Sequence, residues 1–537
     1  MRARGMRRNM SKKTIARTAS FAGTRGFVCA VSVAAMLLGG CRVGPKYVKP
    51  NAPAPPAFKE SSPTAYTNAP SGTWQPAQPQ DAALKGKWWE MFNEPELNVL
   101  EDQLNINNQN IAEFFQNFMA ARAQVREAKS QFYPTLSTDP SYTRQRTPGT
   151  LRNAVATTSS STSGGTSSVA ATGGTTSTDI SLPFDVSWEP DLWGKIRNTV
   201  REFQYAAQVS AADLENERLT EQADLAEYYF QLRGEDALQD LFNQTVAADQ
   251  KSLDLTKSLY NTGIDNDEAV AQAEVTLEGA QEAATGVATN RAIFEHAIAT
   301  LIGKPASSFS MPVKALGTPV PAIPIGLPSQ LLERRPDIAG AERTMAEANA
   351  LIGVETAAYY PNLSLTGGGG LESSAITSLF SAPALFWSAG ASASETIFDA
   401  GLRKATVAQY TATYNADVAS YRQTVLGAFQ QVEDYVATLR VTSAQIQQED
   451  VAVKSAQRYV DIATSRYQTG LDPYLDVISA QTILLSDQQT QVTLRMNEMT
   501  AAVELVQALG GGWDTTQLPA AGKITSAAAA KQVAGTQ

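Results

Sequence analysis

Two patterns of hydrophobic and polar positions alternate along this chain of 537 residues. The first is rich in Ala, Gln, Glu, Leu and Arg and poor in Pro and Gly, which favours helices. It covers residues 95–131, 196–249, 265–303, 337–358, 402–466 and 474–509. One helix over residues 402–466 would be roughly 95 Å long, far longer than a globular core needs. The pattern therefore predicts unusually long helices.

A seam of small and apolar residues lies near the end of the longest helical segment. Val453, Ala456, Val460, Ala463 and Tyr467 follow one another at alternating intervals of three and four residues. Small residues in such a seam let helices approach closely, as in coiled coils. An ordinary helix bundle could give the same pattern over so short a stretch. The length of the helices favours the coiled coil.

The second pattern consists of segments rich in Ser, Thr and Gly with scattered aromatic residues, which is typical of strands. Four such segments lie between the helices, at residues 136–146, 179–188, 363–371 and 385–398. Pro134 and Pro361 precede the first and third segments, and each marks the end of a helix because proline cannot continue the helical ladder. The segments have roughly the ten residues that a tilted membrane strand needs.

The whole arrangement occurs twice. Residues 132–137 (FYPTLS) return as residues 359–364 (YYPNLS), and residues 258–263 (SLYNTG) return as residues 465–470 (SRYQTG). The offset falls between the two pairs, so the first half carries an insertion, which we assign to a Ser/Thr/Gly-rich extracellular loop at residues 157–178. A duplicated half-structure follows. The two predicted repeats cover residues 89–315 and 316–513.

The number of strands decides the assembly. Four strands cannot close a barrel, and an open sheet edge cannot lie in hydrocarbon, so chains must pool their strands. Two chains would give an eight-stranded barrel filled by its own side chains, whereas three would give twelve strands with room for a lumen. We predict an α+β membrane protein: a homotrimeric 12-stranded β-barrel, four strands per chain, continued by a long periplasmic α-helical coiled-coil barrel.

The amino-terminal residues 1–40 resemble a bacterial lipoprotein signal peptide. They contain eight basic residues and no acid, and the apolar run at residues 27–38 is too short to span a bilayer. Two small residues precede Cys41, whose thiol would take the diacylglycerol. Because Arg rather than Asp follows the cysteine, we expect an outer membrane lipoprotein. An ordinary secretory signal with an incidental cysteine is the alternative.

The remaining composition excludes several function classes. Cleavage would remove eight of the 43 basic residues and leave 35 against 53 acids, a net charge of −18, which argues against nucleic acid as a partner. The chain has one histidine and no Gly-rich phosphate loop, so we expect neither a metal site nor an enzyme. A paired-carboxylate hydrolase stays open on residue counts alone. We expect no cofactor besides the covalent lipid on Cys41.

The two ends of the mature chain differ from the repeats in composition. Residues 41–88 contain a stretch rich in Pro and Ala, and we expect an extended tether that lies along the body. Residues 514–537 are rich in Ala after the last helical segment, and we expect a disordered tail.

Two motifs resemble those of the outer membrane efflux (TolC-type) family, in its NodT-like lipoprotein branch. Residues 41–50 (CRVGPKYVKP) are similar to the lipoprotein start, and residues 327–338 (LPSQLLERRPDI) to the motif that opens the second repeat. The resemblance implies a homotrimeric, lipid-anchored exit duct in the outer membrane that extends into the periplasm. It would join a periplasmic adaptor (membrane fusion) protein and an inner-membrane transporter of the resistance-nodulation-division type. The rival is a lipid-anchored trimeric coiled-coil scaffold or adhesin without a lumen.

The turn at residues 467–476 is the predicted periplasmic gate. Gly470 and Pro473 break the helix there, and in a threefold tube every residue of the turn forms a ring of three. Two acids would favour cations and a leucine would narrow the lumen. On the resemblance, we assign the gate to Tyr467, Asp472, Leu475 and Asp476. The alternative is that these acids only cap and solvate the start of a helix.

The matching turn of the first repeat suggests a second role. Both turns carry the same Tyr and Gly, so a trimer would offer six similar edges against which adaptor hairpins could pack. We assign adaptor docking to Tyr260, Gly263, Tyr467, Gly470 and Leu471. The alternative is that Tyr and Gly are what each turn requires.

Overall fold

The computed structural model describes residues 42–52, 54–60, 86–148, 175–325 and 328–534. Its helices are α1 Pro95–Asn107, α2 Gln109–Ser130, α3 Lys195–Asn261, α4 Asp267–Leu301, α5 Leu331–Arg334, α6 Pro336–Ala357, α7 Leu402–Gln468, α8 Tyr474–Ala508 and α9 Ala527–Ala534. Its strands are β1 Thr135–Ser137, β2 Ser141–Thr147, β3 Thr175–Trp188, β4 Asn362–Ser373 and β5 Leu385–Ser394. The predicted lipidation residue, Cys41, and most of the predicted loop at residues 157–178 lie outside the described residues.

The long helices confirm the prediction from the sequence and repeat in length. Helices α3 and α7 each have 67 residues, and α4 and α8 each have 35. Helix α3 continues 12 residues beyond the predicted end at residue 249, to Asn261. None of the described helices combines the length and the apolar composition needed to cross a membrane.

The helical segment predicted over residues 95–131 forms two helices, because Asn108 divides it. Asn108 has an extended backbone, with φ −63° and ψ 128°. Its side-chain Oδ1 accepts a hydrogen bond from the backbone N–H of Ile111 at 3.0 Å. The asparagine therefore ends α1 and caps α2, which is the role that Asn side chains commonly take at helix starts.

The strands form one antiparallel sheet in the order β1 and β2, β3, β4, β5. Strands β1 and β2 share one register on β3, since Ser137 pairs with Asp185 and Ser141 with Ser181. They are one strand interrupted opposite Pro183, which has no N–H to offer a neighbour. The four predicted strands are thus confirmed. The fourth ends at Ser394 rather than residue 398, because a turn with Ala400 at φ 51° leads into α7.

The chain divides into two compact units. Of the described residues, one unit comprises 42–46, 126–148, 175–201 and 349–411 and contains the sheet. The other unit comprises the described residues of 47–125, 202–348 and 412–534 and contains both helical hairpins, α3–α4 and α7–α8.

The first described residues of the predicted tether, from Arg42 onward, make side-chain hydrogen bonds with residues far along the chain. In the unit with the sheet, the Arg42 Nε donates to Asn198 Oδ1 at 2.8 Å. In the other unit, the Tyr47 hydroxyl donates to Glu342 Oε1 at 2.6 Å. The expected end of the tether at residue 88 is too late, since Trp88 is 1% exposed and belongs to the helical core.

The predicted disordered tail is wrong for residues 514–534. Ile524 is fully buried, and Val533 is 3% exposed in helix α9. Two buried side chains bind backbone carbonyls of this segment: Arg122 Nε donates to Ile524 O at 2.8 Å, and Gln208 Nε2 to Pro519 O at 2.7 Å. The few apolar residues of the tail are enough to order it, because side chains of the long helices donate hydrogen bonds to its backbone carbonyls.

The described part of the predicted motif, residues 328–338, contains a helix start. Pro336 opens α6, and Asp337 lies in its first turn. Arg335 Nη2 binds Asp337 Oδ2 at 2.7 Å, and its Nη1 donates to the carbonyl of Ala508, the last residue of α8, at 3.0 Å. The segment therefore ties the opening of the second repeat to its last long helix.

Candidate gate at the hairpin turns

The two hairpin turns have the same backbone. Gly263 and Gly470 have φ of 71° and 70°, a region in which residues with a Cβ are strained. The Gly263 N–H donates to Tyr260 O at 3.0 Å, and the Gly470 N–H donates to Tyr467 O at 2.9 Å. Both glycines are therefore required by the turn itself. This geometry favours the alternative interpretation, in which the two glycines shape the turn and do not contact an adaptor.

Tyr467 connects the two hairpins. It is 4% exposed, and its hydroxyl donates to Oδ2 of Asp265 at 2.5 Å and lies 3.1 Å from Oγ1 of Thr256. Tyr467 belongs to α7, whereas Thr256 and Asp265 lie on α3 and in the turn after it. Burial, together with the bond to Asp265, raises the pKa of Tyr467, so the hydroxyl keeps its proton. We call this contact the tyrosine latch.

Small side chains bring the hairpins close enough for the latch. Ala463 on α7 is 3% exposed, and Ala273 on α4 is 1% exposed. Both belong to one apolar cluster with Tyr467 and Tyr474, whose rings are 5.2 Å apart. The seam predicted from the alternating intervals of three and four is thus buried at its end, where coiled-coil packing places such residues.

Asp472 is not a free acid. The Nε and Nη2 of Arg466, in the same chain, bind its two carboxylate oxygens at 2.5 and 2.8 Å. This paired contact holds the pKa of Asp472 below its usual range. The negative charge predicted at Asp472 is therefore offset within the chain by a guanidinium. Arg466 was not among the predicted gate residues, although it lies only six residues before Asp472.

Leu475 and Asp476 lie on the first turn of α8. Leu475 is 56% exposed, and Asp476 is half-buried without an ion-pair partner within 4 Å among the described residues. The charge of Asp476 adds to that of Asp472 in raising the pKa of Arg466. Of the predicted gate acids, only Asp476 keeps its charge uncompensated.

The predicted docking residues separate into exposed and buried ones. Tyr260 is 45% exposed and Leu471 is 68% exposed, so both offer surface to a partner. Tyr467 does not, and its assignment to docking is wrong because its ring and hydroxyl are used within the chain. Ile264, which is 66% exposed at the position equivalent to Leu471, was missed. The repeat alignment alone identifies it.

A buried carboxylate lies near the latch. Asp249 on α3 is 3% exposed, and burial raises its pKa to about 6. Burial, together with the charge of Asp249, raises the pKa of Tyr474, at the start of α8, to about 12. Asp249 therefore faces the second hairpin as an uncompensated acid.

We expect the contact between the hairpins to weaken as pH rises from 5 to 7.5. The pKa of Asp249 is higher in the packed state than in an unfolded chain, so its packing is most favourable at low pH and is penalised as pH rises through about 6. The penalty is on the order of 2 kcal/mol. Hydrogen exchange of residues 250–260 should therefore quicken over this range, after correction for the intrinsic pH dependence of exchange.

Asp249→Asn is the matched variant for this pH dependence. It keeps the shape of the side chain and removes the titration, so the corrected exchange rate should become independent of pH. An unchanged pH profile in this variant would contradict the role of Asp249.

Known proteins resemble this chain over most of its length. The family model described as outer membrane efflux protein matches residues 100–304 and 327–511. The toluene efflux pump outer membrane protein TtgF of Pseudomonas putida is 31% identical over 486 residues, which are 90% of this chain and 96% of that protein. The cation efflux system protein CusC of Escherichia coli is 27% identical over 493 residues, 89% of this chain and 97% of that protein.

A solved structure shares the fold. The outer-membrane channel OprN matches with a TM-score of 0.77 and 25% identity, covering 88% of this chain and all of that chain. These matches confirm the fold class and the outer membrane location predicted from the sequence, and they do not favour the scaffold without a lumen. The chain belongs to the outer membrane efflux protein family and is the outer membrane exit duct of an efflux pump.

Proposed function

We propose that three copies of this chain form a passive duct, which the tyrosine latch holds closed at its periplasmic end. The observation that supports this proposal most directly is the hydrogen bond from the buried Tyr467 hydroxyl to Asp265. It joins the α7–α8 hairpin to the α3–α4 hairpin. Opening the duct requires the hairpins to part, and parting them exposes this bond and the apolar cluster around it. The chain spends no energy itself; an inner-membrane transporter supplies it.

The lumen at the tips would favour cations weakly. The Arg466–Asp472 pair is neutral, so Asp476 supplies the negative charge of the ring. Leu475, beside it on the exposed surface of α8, supplies the apolar constriction.

Lipid anchoring at Cys41 fits the residues that follow it. Asn198 Nδ2 donates to the carbonyl of Val43 at 3.2 Å, and the Val43 N–H donates to Trp193 O at 3.1 Å. Trp193 lies between the end of β3 and the start of α3. An acyl chain on Cys41 would thus begin next to the end of the membrane strands, where a second anchor adds affinity for the bilayer.

The partners that we propose are a periplasmic adaptor and an inner-membrane transporter of the resistance-nodulation-division type. Ile264 and Leu471 give both hairpin turns an exposed apolar residue at the same place. Helical hairpins of an adaptor would pack against these edges, helix against helix.

Docking is tested by replacing the two exposed apolar residues. The double variant Ile264→Asp/Leu471→Asp should reduce site-specific crosslinking between this chain and its adaptor by about tenfold or more, since buried apolar contacts are replaced by charge. Ile293→Asp, on α4 and 56% exposed, is the matched control and should crosslink as the wild type does. Undiminished crosslinking in the double variant would exclude docking at the turns.

A further inference from the structure

The charged residues of the sheet are segregated by face. Strands β1 to β5 carry five of them among the described residues. Arg144 pairs with Thr178 and Arg146 with Thr176, which places both arginines on the face of Ile180, Leu182 and Phe184. The three acids lie on the opposite face: Asp179, Asp185 and Glu372. Side chains that alternate along a strand cannot exchange faces without a shift in register.

The face with the arginines is the one that lipid contacts. It carries the exposed apolar residues of the sheet, which are Leu136, Tyr142, Phe184, Val186, Trp188, Leu385 and Trp387. In an outer membrane protein an apolar band faces the lipid and polar residues face the lumen. The acids therefore line the lumen, and the arginines point outward.

The arginines lie just beyond the outer boundary of the apolar band. The pair Tyr142–Ile180 is the last outward-facing apolar pair of β2 and β3, and the next two are Arg144–Thr178 and Arg146–Thr176. At the other end of β3, Trp188 leads within a few residues into α3. Because the helices belong to the periplasmic side, the arginine end of β2 lies at the external surface. The two arginines therefore lie at the membrane depth of the lipid headgroups of the outer leaflet.

Both guanidiniums are available to a ligand. Arg144 and Arg146 are exposed, and neither has an ion-pair partner among the described residues. The chain as a whole carries a net charge of −10, so two unpaired cations on a lipid-facing surface differ from its overall acidic charge. Guanidinium binds phosphate oxygens with two parallel hydrogen bonds, which an ammonium or a neutral donor cannot match.

We propose that Arg144 and Arg146 form a binding site for the phosphate groups of a phosphorylated glycolipid in the outer leaflet. The site rests on the outer membrane location and not on the gate. Two arginines on one strand, two residues apart, are roughly 7 Å from each other, a spacing that lets both contact a single headgroup. Three copies of the chain would carry three such sites.

The site is tested on the purified full-length trimer in detergent. Native mass spectrometry would measure the retention of lipid A that carries two phosphates, and of the same lipid A after dephosphorylation. The wild type should retain the phosphorylated lipid, and Arg144→Gln/Arg146→Gln should bind it roughly 30-fold more weakly, about fivefold for each basic residue near a charged lipid surface. Lys251→Gln/Arg458→Gln removes two exposed charges from the helices and should bind as the wild type does.

Three results would overturn the proposal. They are equal retention of both lipids by the wild type, equal retention of the phosphorylated lipid by the arginine variant, and full displacement of the lipid by inorganic phosphate, which would indicate a free-anion site. The conductance of the arginine variant in a neutral phosphatidylcholine bilayer is measured in parallel. It should equal that of the wild type, so a failure of this site remains distinct from a failure of the duct.

Discussion

Replacing Tyr467 with Phe is expected to raise the open probability of the duct in a planar bilayer by roughly 10- to 100-fold. The substitution keeps the ring in its apolar cluster and removes the hydroxyl that donates to Asp265. A hydrogen bond to a charged group contributes about 1.5–3 kcal/mol, and the Asp265 carboxylate is left without this donor. The closed arrangement of the hairpins therefore loses stability, while the open one, in which water solvates both groups, does not.

Tyr260→Phe is the matched control for the latch. Tyr260 occupies the equivalent place in the first repeat, but it is 45% exposed, and its hydroxyl has no hydrogen-bond partner among the described residues. Its removal should leave open probability unchanged within about twofold, since exposed groups away from buried contacts contribute little. Equal effects of the two variants would show that the latch does not hold the hairpins together.

Replacing Arg233 with Ala is expected to destabilise the helical unit by about 3–5 kcal/mol. Arg233 is 2% exposed; it binds Glu96 at 2.5 Å and Asp236 at 3.0 Å, and donates to the carbonyl of Pro312 at 2.7 Å. Among the described residues, the fully buried Asp236 would keep only Arg291 as an ionic partner. The segment that joins the two repeats, around residues 311–318, would also lose a fixed donor. Hydrogen exchange of that segment and the denaturant midpoint of the purified trimer both measure the effect.

Lys87→Ala is the control that distinguishes the buried Arg233 network from an exposed ion pair. Lys87 binds Asp102 at 2.6 Å, but both side chains are about half exposed, and such surface pairs contribute about 0–1 kcal/mol. The midpoint should therefore hardly move in this variant. Similar shifts in the two variants would contradict the claim that burial makes the Arg233 network important.

Most of the fold follows from periodicity, because long helices and strands repeat one local preference many times. The segment of α7 contains no proline and a single glycine, Gly427, so no strong helix breaker interrupts it. The predictions differ from the structure where a single side chain determines the local fold. Asn108 divides a helix by capping its own backbone, and Arg122 orders the tail from about four hundred positions away. The contact of Arg122 lies outside any window of sequence, whereas the cap from Asn108 is local and reaches only to Ile111, three residues along the chain.

The position of the candidate gate could be predicted from the sequence, but the contacts of its side chains could not. The turn at residues 467–476 follows from Gly470 and Pro473, and the buried Tyr467 lies there as expected. Its partner Asp265 comes from the other repeat, over two hundred residues away, so only the packed hairpins identify it. The repeat alignment did carry one overlooked signal: Asp265 and Asp472 are equivalent positions with different partners, a tyrosine and an arginine.

The central claim, a gated duct, is tested most directly by the single-channel conductance of the purified wild-type trimer in a planar bilayer. We expect a small conductance that favours cations weakly, because the latch keeps the tips closed and Asp476 supplies the uncompensated charge there. A silent wild type that conducts once Tyr467 is replaced with Phe would also support the claim, as a tightly sealed duct. Silence of both proteins, at a confirmed trimer mass, would contradict it and favour a scaffold without a lumen.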